Sequence, residues 1–345
     1  MRRPPIRWFA TLSTALVVSP LALCAGTPER VGTRFELADA PCAELPAGDH
    51  DRLFHEAGEE REVRLHVPPG ERPDSLPLVL VFHGGGQSGP RVAELVDMDR
   101  VADAERFLVA YPTGTRGIAG GYTWNGGACC GAAMRRNVDD VAFVSHLVRR
   151  LVEEGCVEPR RVYATGVSNG AVFVYRLGCE ISEQIAAIAP IAGAMMVDSC
   201  RPQRPVPAIV FHGTGDRDVP VEGGRNLQSG ARRAFPPLDE SLATLLRING
   251  CDRDARVVYD EGDATCRAYQ GCSPGGAVTF CRIHGGGHTW PGGQPFRAER
   301  LGKTSQDISA SREMWEFFDA HPLPSSASED SPQGVRRESP RRERP

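Results

Sequence analysis

A serine flanked two residues away on each side by glycine opens the chemistry of this chain: Gly166-Val167-Ser168-Asn169-Gly170. A β-prone run, Val162-Tyr163-Ala164-Thr165, enters it, and an apolar, helix-competent run from Ala171 to Leu177 leaves it. Strand, G-x-S-x-G and helix in that order describe a nucleophile elbow, a sharp turn that pushes the serine hydroxyl out at the end of a sheet. The turn strains the serine backbone and needs small neighbours, which the two glycines supply. A helix starting beneath it would aim the Asn169 N–H at the place where negative charge develops on a tetrahedral oxygen. On its own the motif also fits a surface Gly/Ser turn, and a serine hydroxyl is a weak nucleophile until a base takes its proton. The base and its partner therefore decide the reading.

Two further stretches supply them. His212-Gly213-Thr214-Gly215-Asp216-Arg217-Asp218-Val219-Pro220 places acids just past an apolar strand, and His284-Gly285-Gly286-Gly287-His288-Thr289-Trp290 places a histidine in a glycine loop after another. Ser168, Asp216 and His288 follow the chain order of α/β-hydrolase triads. All three lie just beyond the C-terminal ends of expected parallel strands, where such sheets build their sites. The implied chemistry is acyl transfer. Ser168 attacks an ester carbonyl, His288 accepts its proton and returns it to the leaving alkoxide, and Asp216 holds the imidazole. The oxyanion would take one hydrogen bond from Asn169 N–H and one from Gly85 N–H in His83-Gly84-Gly85-Gly86; losing such a donor typically costs about 2.7–4 kcal/mol of barrier.

Each residue also has a plainer reading. Asp216 could be a turn acid, with Asp218 its rival for the triad. His288 could be a structural loop residue. His284 and His288 lack a third ligand and sit in poor helix, so they do not form a metal pair; His83 and His212 read as loop braces. Gly84–Gly86 lacks the rest of a phosphate-binding G-x-x-x-x-G-K-[ST] loop. Trp124 and Trp290 are candidates to line an acyl pocket, with core packing as the alternative. Asp139 and Asp140 read as helix-start acids.

The elements that must position these groups alternate. Glu62–Val67 alternates as a strand, and Pro77–Phe82 is a continuous apolar run of the kind buried on both faces. Val92–Ala104 has helical spacing, Phe107–Tyr111 is another buried strand, and Asp139–Glu154 is an amphipathic helix that Asn137 or Asp139 could cap. Ile185–Ile191 and Ala208–Phe211 read as strands, Leu238–Asn249 as a helix, Val278–Ile283 as a strand and Ser305–Ala320 as a final helix. Strands alternating with helices imply a mostly parallel central sheet with helices on both faces, an α/β class fold.

Composition bounds the rest. The chain has 345 residues, 41% of them hydrophobic, with 38 Gly and 28 Pro to make turns. Residues 1–25 carry Arg2, Arg3 and Arg7 and no acid, then a mostly apolar stretch ending in small residues, which reads as an export signal. Its removal takes the formal charge from −4 to −7, and an acidic protein is a poor match for nucleic acid or an anionic membrane. No other segment could span a bilayer. Leu21-Ala22-Leu23-Cys24 is a weak lipoprotein box, disfavoured by the leucine before the cysteine. Without Cys24, the 11 cysteines become an even set, as disulfides in an oxidising, secreted or periplasmic location require. Local pairing favours Cys179–Cys200, Cys251–Cys272 and Cys266–Cys281, each bond contributing roughly 2–4 kcal/mol; the full connectivity stays open. The expected organisation is a signal at 1–25, an N-terminal segment at 26–44, a catalytic domain at 45–321 and a Pro/Ser/Arg/Glu-rich disordered tail at 322–345.

Seven motifs in order carry a family resemblance: FHGGGQ at 82–87, TWN with CCG at 123–131, DDVAF at 139–143, RVYATGVSNG at 161–170, IAPIAGA at 188–194, HGTGDRDVP at 212–220 and GGGHTWPGG at 285–293. Over roughly residues 45–320 the chain resembles the polyhydroxybutyrate depolymerase-like and feruloyl esterase-like secreted serine esterases, allied to carbohydrate esterase family 1. The resemblance implies an α/β-hydrolase fold, a triad on Ser168, Asp216 and His288, an oxyanion position on Gly85 where many relatives carry Cys, and no metal or organic cofactor. Only a short tail follows the last helix, where depolymerases of solid polymer append a binding domain. That favours soluble hydroxyacid oligomers, or feruloyl and acetyl esters of cell-wall polysaccharide, as substrates. A peptidase on the same fold and a catalytically silent binding protein are the alternatives; the first would need a recognition domain or an amine anchor, the second a replaced triad member, and none is seen. Oligomeric state is not readable.

Overall fold

A computed structural model describes residues 41–56, 59–70, 74–118, 120–226 and 234–325. The expected export signal, Cys24 and residues 326–345 of the expected tail lie outside the described residues. The chain runs through β1 (Gly48–Glu56), β2 (Glu59–Val67), β3 (Leu76–Phe82), α1 (Gly89–Val96), α2 (Met98–Glu105) and β4 (Leu108–Pro112). A two-stranded ribbon follows, β5 (Thr115–Arg116) and β6 (Tyr122–Thr123), then α3 (Gly131–Arg135), α4 (Asp140–Glu153), β7 (Val157–Val167) and α5 (Asn169–Glu180). The second half holds β8 (Ala187–Ile191), β9 (Ala208–Gly213), α6 (Leu238–Asn249), β10 (Ala255–Glu261), β11 (Ala264–Tyr269), β12 (Val278–Ile283), α7 (Ala298–Leu301) and α8 (Ala310–Asp319).

Ten strands form one sheet in the order β1-β2-β4-β3-β7-β8-β9-β12-β11-β10. The six central strands, β4 to β12 in that order, are parallel. An antiparallel pair extends each edge. β3 is buried along its whole length, as its unbroken apolar run requires. Leu78, Leu80 and Phe82 face one core with Leu147 and Phe173. Val79 and Val81 face a second core with Phe107, Trp315 and Phe318. Trp315 stacks on Phe107 at 4.0 Å and Phe318 on Tyr163 at 4.8 Å, which docks α8 onto its sheet face. Among the described residues no helix is long and apolar enough to cross a membrane.

Some boundaries differ from the sequence expectation. The single helix expected at Val92–Ala104 is two, because Asp97 adopts the left-handed conformation at φ 53° and ends α1. The helix expected from Ser305 starts only at Ala310, with the Ser309 hydroxyl accepting from Arg312 N–H. The residues before it are used otherwise: Leu301 and Lys303 carbonyls accept from His288 and Gly287 N–H at 2.6 and 2.8 Å. β1, β10 and β11 were not foreseen. β1 and β10 are the two edge strands and β11 lies next to β10; all three mix polar with apolar residues, so no buried run marks them.

The disulfides include the three local pairs, Cys179–Cys200, Cys251–Cys272 and Cys266–Cys281. The last joins residues directly opposite each other on β11 and β12. Two more bonds close the set: Cys42–Cys156, which pins the N-terminal end of the domain beside the start of β7, and the adjacent pair Cys129–Cys130.

Candidate active site

Ser168 sits between β7 and α5 with φ 59° and ψ −120°, a conformation L-residues rarely adopt. The fold holds it there from both sides. Ser168 N–H donates to the Ile191 carbonyl of β8 at 3.0 Å, and its own carbonyl accepts from Val172 N–H at 3.0 Å. The flanking glycines are needed for space. A Cβ on Gly166 would stand 2.7 Å from the Phe82 carbonyl oxygen, and one on Gly170 would run into the carbonyls of Phe82 and His83.

β9 and β12 are parallel neighbours, so the loops beyond their C-terminal ends meet. There His288 Nδ1 donates to Asp216 Oδ2 at 2.8 Å. Asp216 Oδ1 accepts from the N–H groups of Asp218 and Val219 at 2.8 and 2.9 Å, which fixes the carboxylate. Both Asp216 and His288 are buried. Asp218 is turned elsewhere, toward Arg300 at 3.1 Å and the Asn226 amide at 3.0 Å. His212 braces this loop: its Nε2 donates to the Val219 carbonyl at 2.8 Å, and burial pushes its pKa down despite the nearby Asp216 charge.

The glycine loop after β3 lies against the elbow. A Cβ on Gly84 would touch Ser168 Cβ at 3.5 Å, and one on Gly85 would meet Asn169 Cβ at 3.8 Å. Gly85 and Asn169 are therefore neighbours beside Ser168. The Gln87 side chain accepts from Gly84 N–H at 3.2 Å. His83, fully buried, donates from Nδ1 to the Gly84 carbonyl at 2.8 Å and accepts from Gly114 N–H on Nε2 at 2.9 Å. Burial, helped by the Arg61 charge, lowers its pKa to about 4. Such a histidine is neutral and structural at ordinary pH.

Ser168, His288, Gly85 and Gly86 line two adjoining clefts, of about 570 and 550 Å³. The first runs toward Leu95, Trp290 and Phe296, the second toward Thr123, Cys130, Val172 and Phe235. A serine at the meeting point of two clefts is placed to act on a bond with a group on each side.

Residues 62–225 match the family described as esterase PHB depolymerase. NocK of Nocardia uniformis subsp. tsuyamanensis, which carries an esterase name, is 30% identical over 300 residues, covering 81% of this chain and 86% of that one. The chain belongs to this esterase family. Feruloyl esterase B of Piromyces equi is also 30% identical, over 235 residues covering 66% of this chain, and the chain spans 42% of the length of that relative. An acetyl xylan esterase from Aspergillus awamori shares the fold, with a TM-score of 0.53 at 13% identity, covering 75% of this chain and 94% of that one.

Trp124 lines neither cleft. Its ring is fully buried, stacked on Phe173 at 5.2 Å and edge-on to Phe82 at 5.1 Å. Burial of so large an apolar ring in the core outweighs any role at the surface. Its backbone matters more. The Asn169 side chain accepts from Trp124 N–H at 2.7 Å and donates to its carbonyl at 2.9 Å, tying the Trp124 loop to the start of α5. Trp290 does border the first cleft.

One positioning group was missed from sequence. Asp140 is not just a helix-start acid: it is fully buried, pairs with Arg61 at 2.7 Å and accepts from Asn125 N–H at 2.8 Å. Asp139, its neighbour, caps α4 by accepting from Ala142 N–H at 3.0 Å. Two adjacent acids look alike in a sequence, and only the fold separates the cap from the buried ion pair. His284 is exposed and belongs to no close cluster of three or more metal-ligating groups among the described residues. Among the described residues the one close cluster of metal-ligating types is Asp49, His66 and Asp99. There both His66 nitrogens already bond carboxylates, Asp49 at 2.7 Å and Asp103 at 2.9 Å.

Proposed function

We propose that this protein hydrolyses carboxylic esters through an acyl-enzyme formed on Ser168. The observation that carries the reading is the buried Asp216–His288 hydrogen bond of 2.8 Å, made by a histidine that lines the same two clefts as Ser168. With Nδ1–H held by Asp216, the basic nitrogen of the neutral imidazole is Nε2, the one that would take the serine proton. As the proton moves, Asp216 stabilises the imidazolium. The carbonyl oxygen gains negative charge on the side of Ser168 where its neighbours Asn169 and Gly85 would supply the N–H donors. His288 then returns the proton to the leaving alkoxide, and water repeats the sequence on the acyl-enzyme.

The substrates proposed are hydroxyalkanoate oligomers or feruloyl and acetyl esters of cell-wall polysaccharide, as the family description and the Piromyces relative's name support. Export to an oxidising compartment is proposed with it; the basic, apolar pattern of residues 1–25 and the five disulfides support that. The test is hydrolysis of 4-nitrophenyl acetate by the wild type and by Ser168→Ala, with intact-mass detection of a phosphonate adduct on Ser168. Activity surviving in Ser168→Ala, or an adduct on another residue, refutes the assignment.

A further inference from the structure

The charge lining the two clefts is uneven. Arg297 and Arg300 border both clefts, Arg91 the first and Arg135 the second. Asp218 is the single acid among the described lining residues, and Arg300 engages it at 3.1 Å. This contrasts with the chain as a whole, where 44 acidic residues exceed 40 basic ones. Arg91 pairs with Glu94. Arg135 and Arg297 have no carboxylate partner among the described residues, and both are exposed.

Arg297 is also held in place. It adopts the left-handed conformation at φ 46°, which costs an arginine more than it would a glycine. Its guanidinium lies over the Phe296 ring at 5.1 Å, the same ring that Arg91 overlies at 5.1 Å. A planar guanidinium so placed offers paired N–H donors that match a carboxylate.

We propose that this site selects esters carrying a free carboxylate close to the scissile bond, with Arg135 and Arg297 receiving it. The proposal rests on the ester hydrolase reading and narrows it. A short hydroxyacid oligomer ends in such a carboxylate a few bonds from its last ester, whereas an acetylated neutral sugar has none. The reaction is ordinary ester hydrolysis; the arginines bind the anionic end and raise the rate of productive encounter.

The test measures kcat/KM for two pairs of esters. Mono-4-nitrophenyl succinate against 4-nitrophenyl butyrate places the carboxylate on the acyl side. 3-Acetoxybutyrate against its ethyl ester places it on the alcohol side. The expected result is a preference for the anionic member in at least one pair. Its anionic-to-neutral ratio should fall about 3-fold in Arg135→Gln and in Arg297→Gln, and about 10-fold in the double variant. The ratio should also shrink in 0.5 M NaCl, where exposed charges are screened. Arg149→Gln, an exposed arginine on α4 outside both clefts, controls for net charge and should keep the wild-type ratio. No preference in either pair, or a ratio unchanged in the double variant, overturns the inference while hydrolysis of the neutral esters keeps the parent reading. Wild type inactive on all four esters would sink the parent reading itself.

Discussion

His83 makes the fold sensitive to acid, and the size of the effect follows from its surroundings. Its ring is buried at the end of β3, donating to the Gly84 carbonyl and accepting from Gly114 N–H. Protonation would leave two N–H groups facing each other at Nε2 and a charge beside Arg61. Burial and that charge hold the folded-state pKa at about 4, against 6.5 for a free histidine. The shift is downward, so the unfolded chain binds the proton first. The neutral form contributes full stability above pH 6.5, and that contribution drains away as pH falls toward 4. At 1.36 kcal/mol per pH unit the whole window is worth about 3 kcal/mol, of which about 2 kcal/mol is lost between pH 7 and pH 5. A glutamine can offer one N–H and one oxygen in place of the ring but does not titrate. Urea unfolding of wild type and His83→Gln at pH 7 and pH 5 isolates the contribution. His83→Gln should be less stable at pH 7, yet lose about 2 kcal/mol less than wild type on acidification. Equal losses in the two proteins would refute the reasoning, because the linkage term belongs to His83 alone.

His66 acts in the opposite direction. Burial alone would lower its pKa, but hydrogen bonds to Asp49 and Asp103 and the charge of Asp99 outweigh that, and the net shift is upward. Its clasp across β1, β2 and α2 is therefore fully present below pH 6.5 and lost as pH rises through the raised folded pKa; the Tm gap between wild type and His66→Gln should be widest near pH 6 and close at alkaline pH. Removing the Cys42–Cys156 bond, which closes a sequence separation of 114, should cost about 4–5 kcal/mol, and removing Cys179–Cys200, with a separation of 21, about 3 kcal/mol. Double Cys→Ser variants compared by urea unfolding check the order. Asp140→Asn should destabilise by about 3–5 kcal/mol because it strands the buried Arg61. The double variant Arg61→Met with Asp140→Leu should recover much of that loss in the same assay, though not the hydrogen bond that holds Asn125.

The parts legible in the sequence were those fixed by short-range physics. A tight turn demands glycine beside Ser168, a strand buried on both faces demands an unbroken apolar run at Pro77–Phe82, and cysteines close together in the chain pair locally. Gly166, β3 and the three short-range disulfides appear in the structure for those reasons. What depended on the tertiary structure was partnership. Asp216 and Asp218 are two residues apart, yet only the adjacency of β9 and β12 determines which one meets His288 and which meets Arg300. Trp124 looked equally suited to a pocket and to a core until Phe82 and Phe173 enclosed it. Arg135 and Arg297, 162 positions apart in chain number, border one cleft because α3 and the loop after β12 both overhang the elbow. Local spacing constrains the backbone at each residue; which distant side chains then share a space is set by how strands order themselves in the sheet, and a linear pattern carries little of that.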